Sequence, residues 1–134
     1  MSKENIVVAG GFRELLHLNT VEAYDHLADK WSWMPNMING YSKHNLVTVK
    51  DKMYVISHKN VEVFDGQKFV SLKRPSGYAF DCGAFSTGNK IHVVKFYKVK
   101  MLTYDTVKDE WSAEEPTKFA GKKRYECLIK TPKV

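Results

Sequence analysis

Three carboxylates recur along this chain at a fixed spacing. Asp25, Asp65 and Asp105 each follow an aromatic residue, and successive members are forty residues apart. Positioned carboxylates are common general acids and bases, but a catalytic group is needed only once. An Asp that accepts hydrogen bonds from turn amides is useful in every repeat of a fold. We therefore assign these residues a structural role.

Other reactive side chains show no catalytic or metal-binding pattern. The five histidines have no metal-ligand spacing with one another or with the two cysteines. Cys82 and Cys127 occupy equivalent places in the repeat, which favours two buried thiols in a reducing compartment. Glycine-rich phosphate loops, nucleophile elbows and His-Glu-x-x-His motifs are absent from the sequence. The sequence thus predicts no metal, no cofactor and no enzymatic activity.

The carboxylates belong to a longer repeated segment. Val21–Asp25 returns as Val61–Asp65 and again as Lys100–Asp105. A further aromatic follows each segment, as Trp31, Phe69 or Trp111. A period of about 20–50 residues indicates solenoids, propellers or other arrays of stacked units.

Each unit reads as a set of short strands. The apolar runs are rich in β-branched and aromatic residues and are bounded by turn formers, as in Met53–Ile56 and Ile91–Val94. The pattern predicts four-stranded antiparallel meanders, with units at about 1–43, 44–80 and 81–124 in one domain. The chain opens on the second strand of a unit, and residues 125–134 are predicted to supply the strand that closes the first one.

The first unit resembles the kelch repeat. The resemblance lies in Ile6–Gly11, Leu18–Asp25, Lys30-Trp31 and Met34-Pro35. It weakens along the chain, since Ser57-His58 replaces the glycine pair of the second unit. The resemblance implies an all-β, partial kelch-type β-propeller. The residues assigned to the structural repeat are Gly10, Gly11, Tyr24, Asp25, Trp31, Phe64, Asp65, Phe69, Tyr104, Asp105 and Trp111.

The number of units poses a problem of closure. Propellers have about 4–8 blades of four strands, whereas this chain holds about three. An open half-ring exposes strand edges and apolar faces. We therefore expect a homodimer with six blades, or completion by blades of a longer protein.

The composition and the net charge of the chain indicate which kinds of partner to expect. The net charge is +6, which favours acidic or mixed acidic-apolar protein segments. No signal peptide or membrane span is predicted, and the expected location is cytoplasmic. An alternative to a protein partner is a polyanion or nucleic acid, which would bind a basic cluster at Lys118, Lys122, Lys123 and Arg124. The sequence does not favour this alternative.

The leading functional prediction is a protein–protein interaction module that recognises its partner through loops. The resemblance implies a substrate-recognition part of a cullin ubiquitin-ligase adaptor; alternatives are an actin-binding protein and a fragment of a copper-dependent propeller enzyme. Arg and aromatic residues on exposed loops are typical of binding hot spots. The predicted partner-binding residues are Arg13, Tyr41, His58, Arg74, Tyr78, Phe96, Tyr97, Lys123 and Arg124.

Overall fold

The fold is built from antiparallel strands. A computed structural model describes residues 5–57, 59–74, 82–95 and 100–114, and every regular element among them is a strand. The part of the chain so described contains no helix long and apolar enough to cross a membrane.

Blade 1 is a three-stranded sheet with a small hairpin inserted between its first two strands. Its strand order follows the sequence, and all pairs are antiparallel. The sheet consists of β1 (Ile6–Ala9), β4 (Val21–Asp25) and β5 (Lys30–Met34), and the hairpin of β2 (Phe12–Arg13) and β3 (Leu16–His17).

Blades 2 and 3 are complete four-stranded meanders. In each of them, consecutive strands are neighbours and antiparallel. Blade 2 consists of β6 (His44–Val49), β7 (Lys52–Ser57), β8 (Val61–Phe64) and β9 (Phe69–Leu72). Blade 3 consists of β10 (Cys82–Thr87), β11 (Lys90–Lys95), β12 (Lys100–Asp105) and β13 (Glu110–Glu114).

The all-β, partial propeller-type fold predicted from the repeat is confirmed. The four-stranded sheets match the predicted meanders, and blade 1 begins on the strand that the sequence places second in a unit. The predicted closing strand at 125–134 lies outside the described residues.

The repeated carboxylates close the turn between the last two strands of each blade. Asp25 Oδ1 accepts the N–H groups of Leu27 and Ala28 at 2.9 and 3.2 Å. Asp65 does the same for the two residues that precede β9, at 2.8 Å each. Asp105 accepts the equivalent pair at 3.0 and 3.1 Å. These backbone donors lower the pKa of Asp65 and Asp105 below the usual carboxyl value.

The core consists of two layers between stacked blades. Between blades 1 and 2 lie Val21, Met37, Tyr41, Val55 and Phe69, all buried. The layer between blades 2 and 3 is larger. Its buried members are Val47, Val49, Tyr54, Ile56, Val61, Ile91, Val93, Leu102 and Tyr104. Each blade therefore buries its apolar side chains against a neighbour, as stacked repeats do.

The two tryptophans of the repeat have different surroundings. Trp111 packs against the layer between blades 2 and 3, and its Nε1 donates to the Lys73 carbonyl at 2.8 Å. Trp31 is 48% exposed and packs on Tyr24 of its own blade, with ring centroids 5.1 Å apart. Among the described residues, Trp31 therefore does not pack between blades as Trp111 does, because no described blade lies against its side of blade 1.

We expect Phe69→Ala to lower the free energy of unfolding by about 3–5 kcal/mol, because the ring is 5% exposed and its removal leaves a cavity between blades 1 and 2. Urea denaturation followed by circular dichroism measures the loss. Val70→Ala is the matched control, since the next side chain along β9 is 37% exposed. Equal losses for the two variants would show that the interface between blades 1 and 2 is not the core.

Candidate protein-binding platform

The β2–β3 hairpin is held against the segment that connects blades 1 and 2. The N–H of Gly11 donates to the Tyr41 carbonyl at 2.7 Å, and the N–H of Tyr41 donates to the Leu18 carbonyl at 3.0 Å. The N–H of Leu18 donates to the Gly11 carbonyl at 2.9 Å. We call residues 10–19 together with residues 37–41 the hairpin platform.

Side chains add further links within this platform. The Asn19 carbonyl accepts the N–H of Met37 at 2.8 Å, and the Asn19 side-chain amide donates to the Met37 carbonyl at 3.2 Å. His17 Nδ1 lies 2.8 Å from the Ser42 hydroxyl. The hairpin is therefore tied to its neighbour at its base and along one side.

Two glycines allow the close approach of these backbones. Gly10 has a φ of 70°, and a Cβ there would lie 2.5 Å from the Tyr41 carbonyl oxygen. A Cβ on Gly40 would collide with the backbone carbonyl of His17. Larger residues at either position would push the hairpin away from the connecting segment.

A buried carboxylate lies beneath the platform and orients the connecting segment. Glu62 on β8 is 0% exposed, and its Oε2 accepts the N–H of Ile38 at 2.9 Å. Its Oε1 accepts the Asn39 N–H and the Asn39 side-chain amide at 3.1 Å each, and the Tyr41 hydroxyl at 2.5 Å. Hydrogen bonds to a charged acceptor are the stronger kind, which compensates for burial of the charge.

Tyr41 is a correction to the sequence-based assignment. The residue was expected on an exposed loop, where it would meet a partner. It is 6% exposed, and its hydroxyl bonds to Glu62 inside the protein. Burial, followed by the bond to the Glu62 carboxylate, raises the pKa of the Tyr41 phenol above its ordinary value. The side chain supports the platform and is not presented to a partner.

His44 links blade 2 to the edge of blade 1. Its Nε2 donates to the Ala9 carbonyl at 2.9 Å, so the neutral ring has its lone pair on Nδ1. That Nδ1 atom is buried and has no hydrogen-bond partner in the part of the chain that the structure describes. Burial lowers the pKa of the His44 imidazole below its ordinary value of 6.5.

The outer end of the hairpin carries exposed apolar side chains. Phe12, Leu15 and Leu16 are 58%, 86% and 67% exposed. The turn residues Glu14 and Leu15 have φ values of 47° and 67°, in the left-handed region that side chains rarely adopt. Arg13 points to solvent here, with its Nε 3.7 Å from the Glu14 carboxylate.

Arg74 is the other predicted partner-binding residue that the structure describes, and it lies outside this platform. Arg74 lines an open groove with Lys73, Trp111 and two acidic residues, Asp109 and Glu110, so its surroundings carry mixed charge. Of the predicted residues that the structure describes, Arg13 and Tyr41 lie on the platform. The predicted residues outside the described parts of the chain are His58, Tyr78, Phe96, Tyr97, Lys123 and Arg124.

Sequence reasoning missed both the hairpin and the buried acid. The sequence interpretation places Phe12–Asn19 in a loop, and Glu14 and Leu15 are not typical turn formers that would indicate a hairpin there. Glu62 sits in a strand whose alternation suggests a solvent-facing acid. A signal was present, since Glu22 and Glu62 occupy the same place in the repeat where the third unit has Leu102.

The described residues contain no group of three or more His, Cys, Asp or Glu side chains that could hold a metal ion. The arrangement at the platform offers apolar surface and an ion pair on a fixed support. These are the features of a binding surface on a rigid scaffold.

Comparison with known proteins identifies the repeat. The family model described as the Kelch motif matches residues 2–38, which span blade 1 and the start of the connecting segment. Residues 2–38 therefore contain a kelch motif. This confirms the resemblance inferred from the glycine pair, the Tyr-Asp pair and the tryptophan of the first unit.

Curated relatives extend the similarity over more of the chain. Kelch-like protein 7 of Rattus norvegicus and of Mus musculus is 30% identical over 112 residues, which cover 72% of this chain and 19% of the relative. The kelch repeat-containing protein kel-10 of Caenorhabditis elegans is 36% identical over 67 residues, covering 45% of this chain and 12% of the relative. The chain thus spans about a fifth, or less, of the length of these relatives.

We expect Glu62→Ala to disorder the segment that connects blades 1 and 2. The substitution leaves the N–H groups of Ile38 and Asn39 without their acceptor. Because these groups are partly buried, each should cost at most about 1–3 kcal/mol, the penalty of a buried unsatisfied group. Urea denaturation measures the loss, and limited proteolysis maps new cleavage at residues 37–41.

Tyr41→Phe is the graded comparison for Glu62→Ala, since it removes one donor and leaves the carboxylate in place. We expect a loss of about 1–2 kcal/mol from this variant. If Glu62→Ala is no more destabilising than Tyr41→Phe, the carboxylate does not organise the segment.

We expect stability to fall as the pH drops below about 6.5 because of His44. Its folded-state pKa is depressed, so the unfolded chain takes up a proton first. The loss of stability is absent at pH values above the pKa of His44 in the unfolded chain. It grows as the pH falls toward the pKa of His44 in the folded protein. The depressed pKa values of Asp65 and Asp105 act in a separate window, below the carboxyl value of 3.8.

Urea midpoints at pH 7.5 and 5.5 measure the histidine effect. His44→Gln is the matched variant, because its amide can still donate to the Ala9 carbonyl. The variant should lose less stability than the wild type between these two pH values. An identical drop in both proteins would assign the pH dependence to another group.

Proposed function

We propose that this chain is a non-enzymatic protein-recognition module whose partner docks on the hairpin platform. Kelch repeats generally serve in protein–protein interaction. The observation that supports the platform is its cluster of exposed apolar side chains, Phe12, Leu15 and Leu16, on a hairpin that is hydrogen-bonded to a fixed support.

The exposure and the backbone conformation of Leu15 support this proposal. A large apolar side chain that is 86% exposed gains nothing from burial within the chain, and its positive φ is unfavourable for a side chain with a Cβ. Backbone outliers of this kind occur often at ligand-binding sites. A partner that covers Leu15 would bury the side chain and recover its hydrophobic free energy.

The expected partner is a protein segment of mixed character. Apolar groups on the partner would pack on Phe12 and Leu16. An acidic group would meet Arg13, in keeping with the net charge of +6. Because aromatic and Arg anchors often dominate interface energies, Phe12 and Arg13 should contribute to the affinity. The two leucines should add to it by burying apolar surface.

Finer roles rest on the family resemblance. Substrate recognition for a cullin ubiquitin ligase in the cytosol is the leading one, and actin binding is the second. Co-purification of a cullin and co-sedimentation with filamentous actin separate the two. A copper analysis of the purified protein tests the propeller-enzyme alternative, and the proposed polyanion cluster at 118–124 lies outside the described residues.

We expect Leu15→Glu to abolish capture of the specific partner in affinity purification followed by mass spectrometry. Loss of a hot spot of about 2 kcal/mol corresponds to a roughly thirtyfold weaker dissociation constant, because each 1.4 kcal/mol is tenfold. Once the partner is known, calorimetry measures this change directly.

Leu27→Glu is the matched control for this experiment. Leu27 is 80% exposed and lies in the turn between β4 and β5, away from the hairpin. The control should retain the partners captured by the wild type. A partner that is lost with Leu27→Glu but kept with Leu15→Glu would place the binding surface at the other end of the blade.

A further inference from the structure

The outer side of blade 1 is built like an interface between blades. Pairing register places Ile6, Tyr24 and Trp31 side by side, and Val8 next to Glu22. Residues paired across neighbouring strands, and residues two apart along a strand, share one face of a sheet. We call this side the open face; it consists of Ile6, Val8, Glu22, Tyr24, Trp31 and Trp33.

The same positions are covered in the other two blades. Val8 is 50% exposed, whereas its counterparts Val55 and Val93 are 0% and 1% exposed. Trp31 is 48% exposed, whereas its counterpart Phe69 is 5% exposed. The difference arises because a preceding blade lies against blades 2 and 3, whereas no blade among the described residues lies against the open face of blade 1.

The polar groups of the open face are also those of an interface between blades. Glu22 occupies the place of Glu62, which accepts backbone N–H groups from the segment that precedes its blade. Trp31 occupies the place of Trp111, whose Nε1 donates to the carbonyl of Lys73 at the end of the preceding blade. The open face thus offers one acceptor and one donor where an adjoining blade has matching groups.

The other end of the stack offers the complementary side of a blade. The register of blade 3 places Phe85, Val94 and Met101 on the side that faces away from blade 2. These side chains are partly buried, and Phe85 stacks on His92 with ring centroids 5.1 Å apart. In blade 2 the same side is the one that covers the next blade.

We propose that the open face binds the outward side of blade 3 of a second copy of this chain. Two copies then form a closed ring of six blades, within the range of about 4–8 that propellers adopt. In this ring, each copy covers the open face and the outward side of blade 3 of the other copy. Neither apolar end of the stack then remains exposed to solvent. The proposal concerns a surface separate from the hairpin platform and goes beyond the proposed recognition function.

Pairing of two open faces with each other is less favourable on chemical grounds. Such a dimer would bring two Glu22 carboxylates into one apolar interface without the donors that surround Glu62. Burying unpaired like charges is strongly unfavourable. It would also leave the blade 3 ends unpaired.

Size-exclusion chromatography with light scattering over a range of concentrations tests the proposal. The full chain should elute as a species of twice 15.4 kDa. Trp33→Glu and Met101→Glu should each weaken the dimer at least about tenfold, since each places a charge in the proposed interface. Val107→Glu is the matched control, because Val107 is 69% exposed and Trp33 is 71% exposed, and it should leave the dimer intact. A wild-type chain that stays monomeric would overturn the proposal.

Mixing the two interface variants tests the pairing of unlike ends. In a ring of one Trp33→Glu chain and one Met101→Glu chain, one interface is unaltered, so the mixture should dimerise more tightly than either variant alone. If Met101→Glu has no effect while Trp33→Glu abolishes the dimer, the open faces pair with each other and the proposal is wrong. Leu15→Glu should remain dimeric, which separates failure of assembly from failure of partner recognition.

Tryptophan fluorescence gives a second measurement that does not depend on a disruptive variant. The chain has three tryptophans, so Trp111→Phe leaves only Trp31 and Trp33, both on the open face. Quenching by acrylamide should increase as this variant is diluted through the dimer-to-monomer transition. Quenching that stays constant while the mass halves would place the interface elsewhere and overturn the proposal.

Discussion

The buried carboxylate of Glu62 is the interaction on which the junction of the first two blades depends. It has backbone, amide and hydroxyl donors within hydrogen-bonding distance, and all of them belong to residues 38–41. A buried charge is tolerated only when its acceptor sites are filled. The connecting segment must therefore adopt one conformation, and that conformation presents the Tyr41 backbone to Gly11 and Leu18 of the hairpin. Interior electrostatics thus fix the position of a surface element.

The repeat supplies a common plan that each blade uses differently. Its turn carboxylate performs the same task in every blade, because each turn between the last two strands needs an acceptor for its N–H groups. The position of Glu62 is variable, since the third blade has Leu102 there, which joins the apolar layer instead. The same strands can therefore form a polar or an apolar interface with the preceding blade. Which one forms depends on whether the segment before the blade supplies hydrogen-bond donors.

Much of the fold could be predicted from local patterns, and most of the platform could not. Strands such as Ile6–Ala9 and the turn carboxylates depend on nearby residues, so alternation and spacing reveal them. The role of Glu62 depends on donors 21–24 residues away, and nothing in its own strand indicates that it is buried. Tyr41 was misplaced for the same reason. The β2–β3 hairpin was not predicted because Glu14 and Leu15 adopt positive φ without being typical turn residues.

The two surfaces of this chain place different demands on its structure. The hairpin platform is held by contacts within one copy, at the junction of blades 1 and 2, so its geometry is complete without a neighbour. The open face consists of side chains that in the other blades are covered by a neighbour, and no described blade covers them in blade 1. The proposed recognition of a partner and the proposed closure of the ring therefore depend on separate sets of residues. Because each blade in a stack contacts only its neighbours, a change at one surface need not disturb the other.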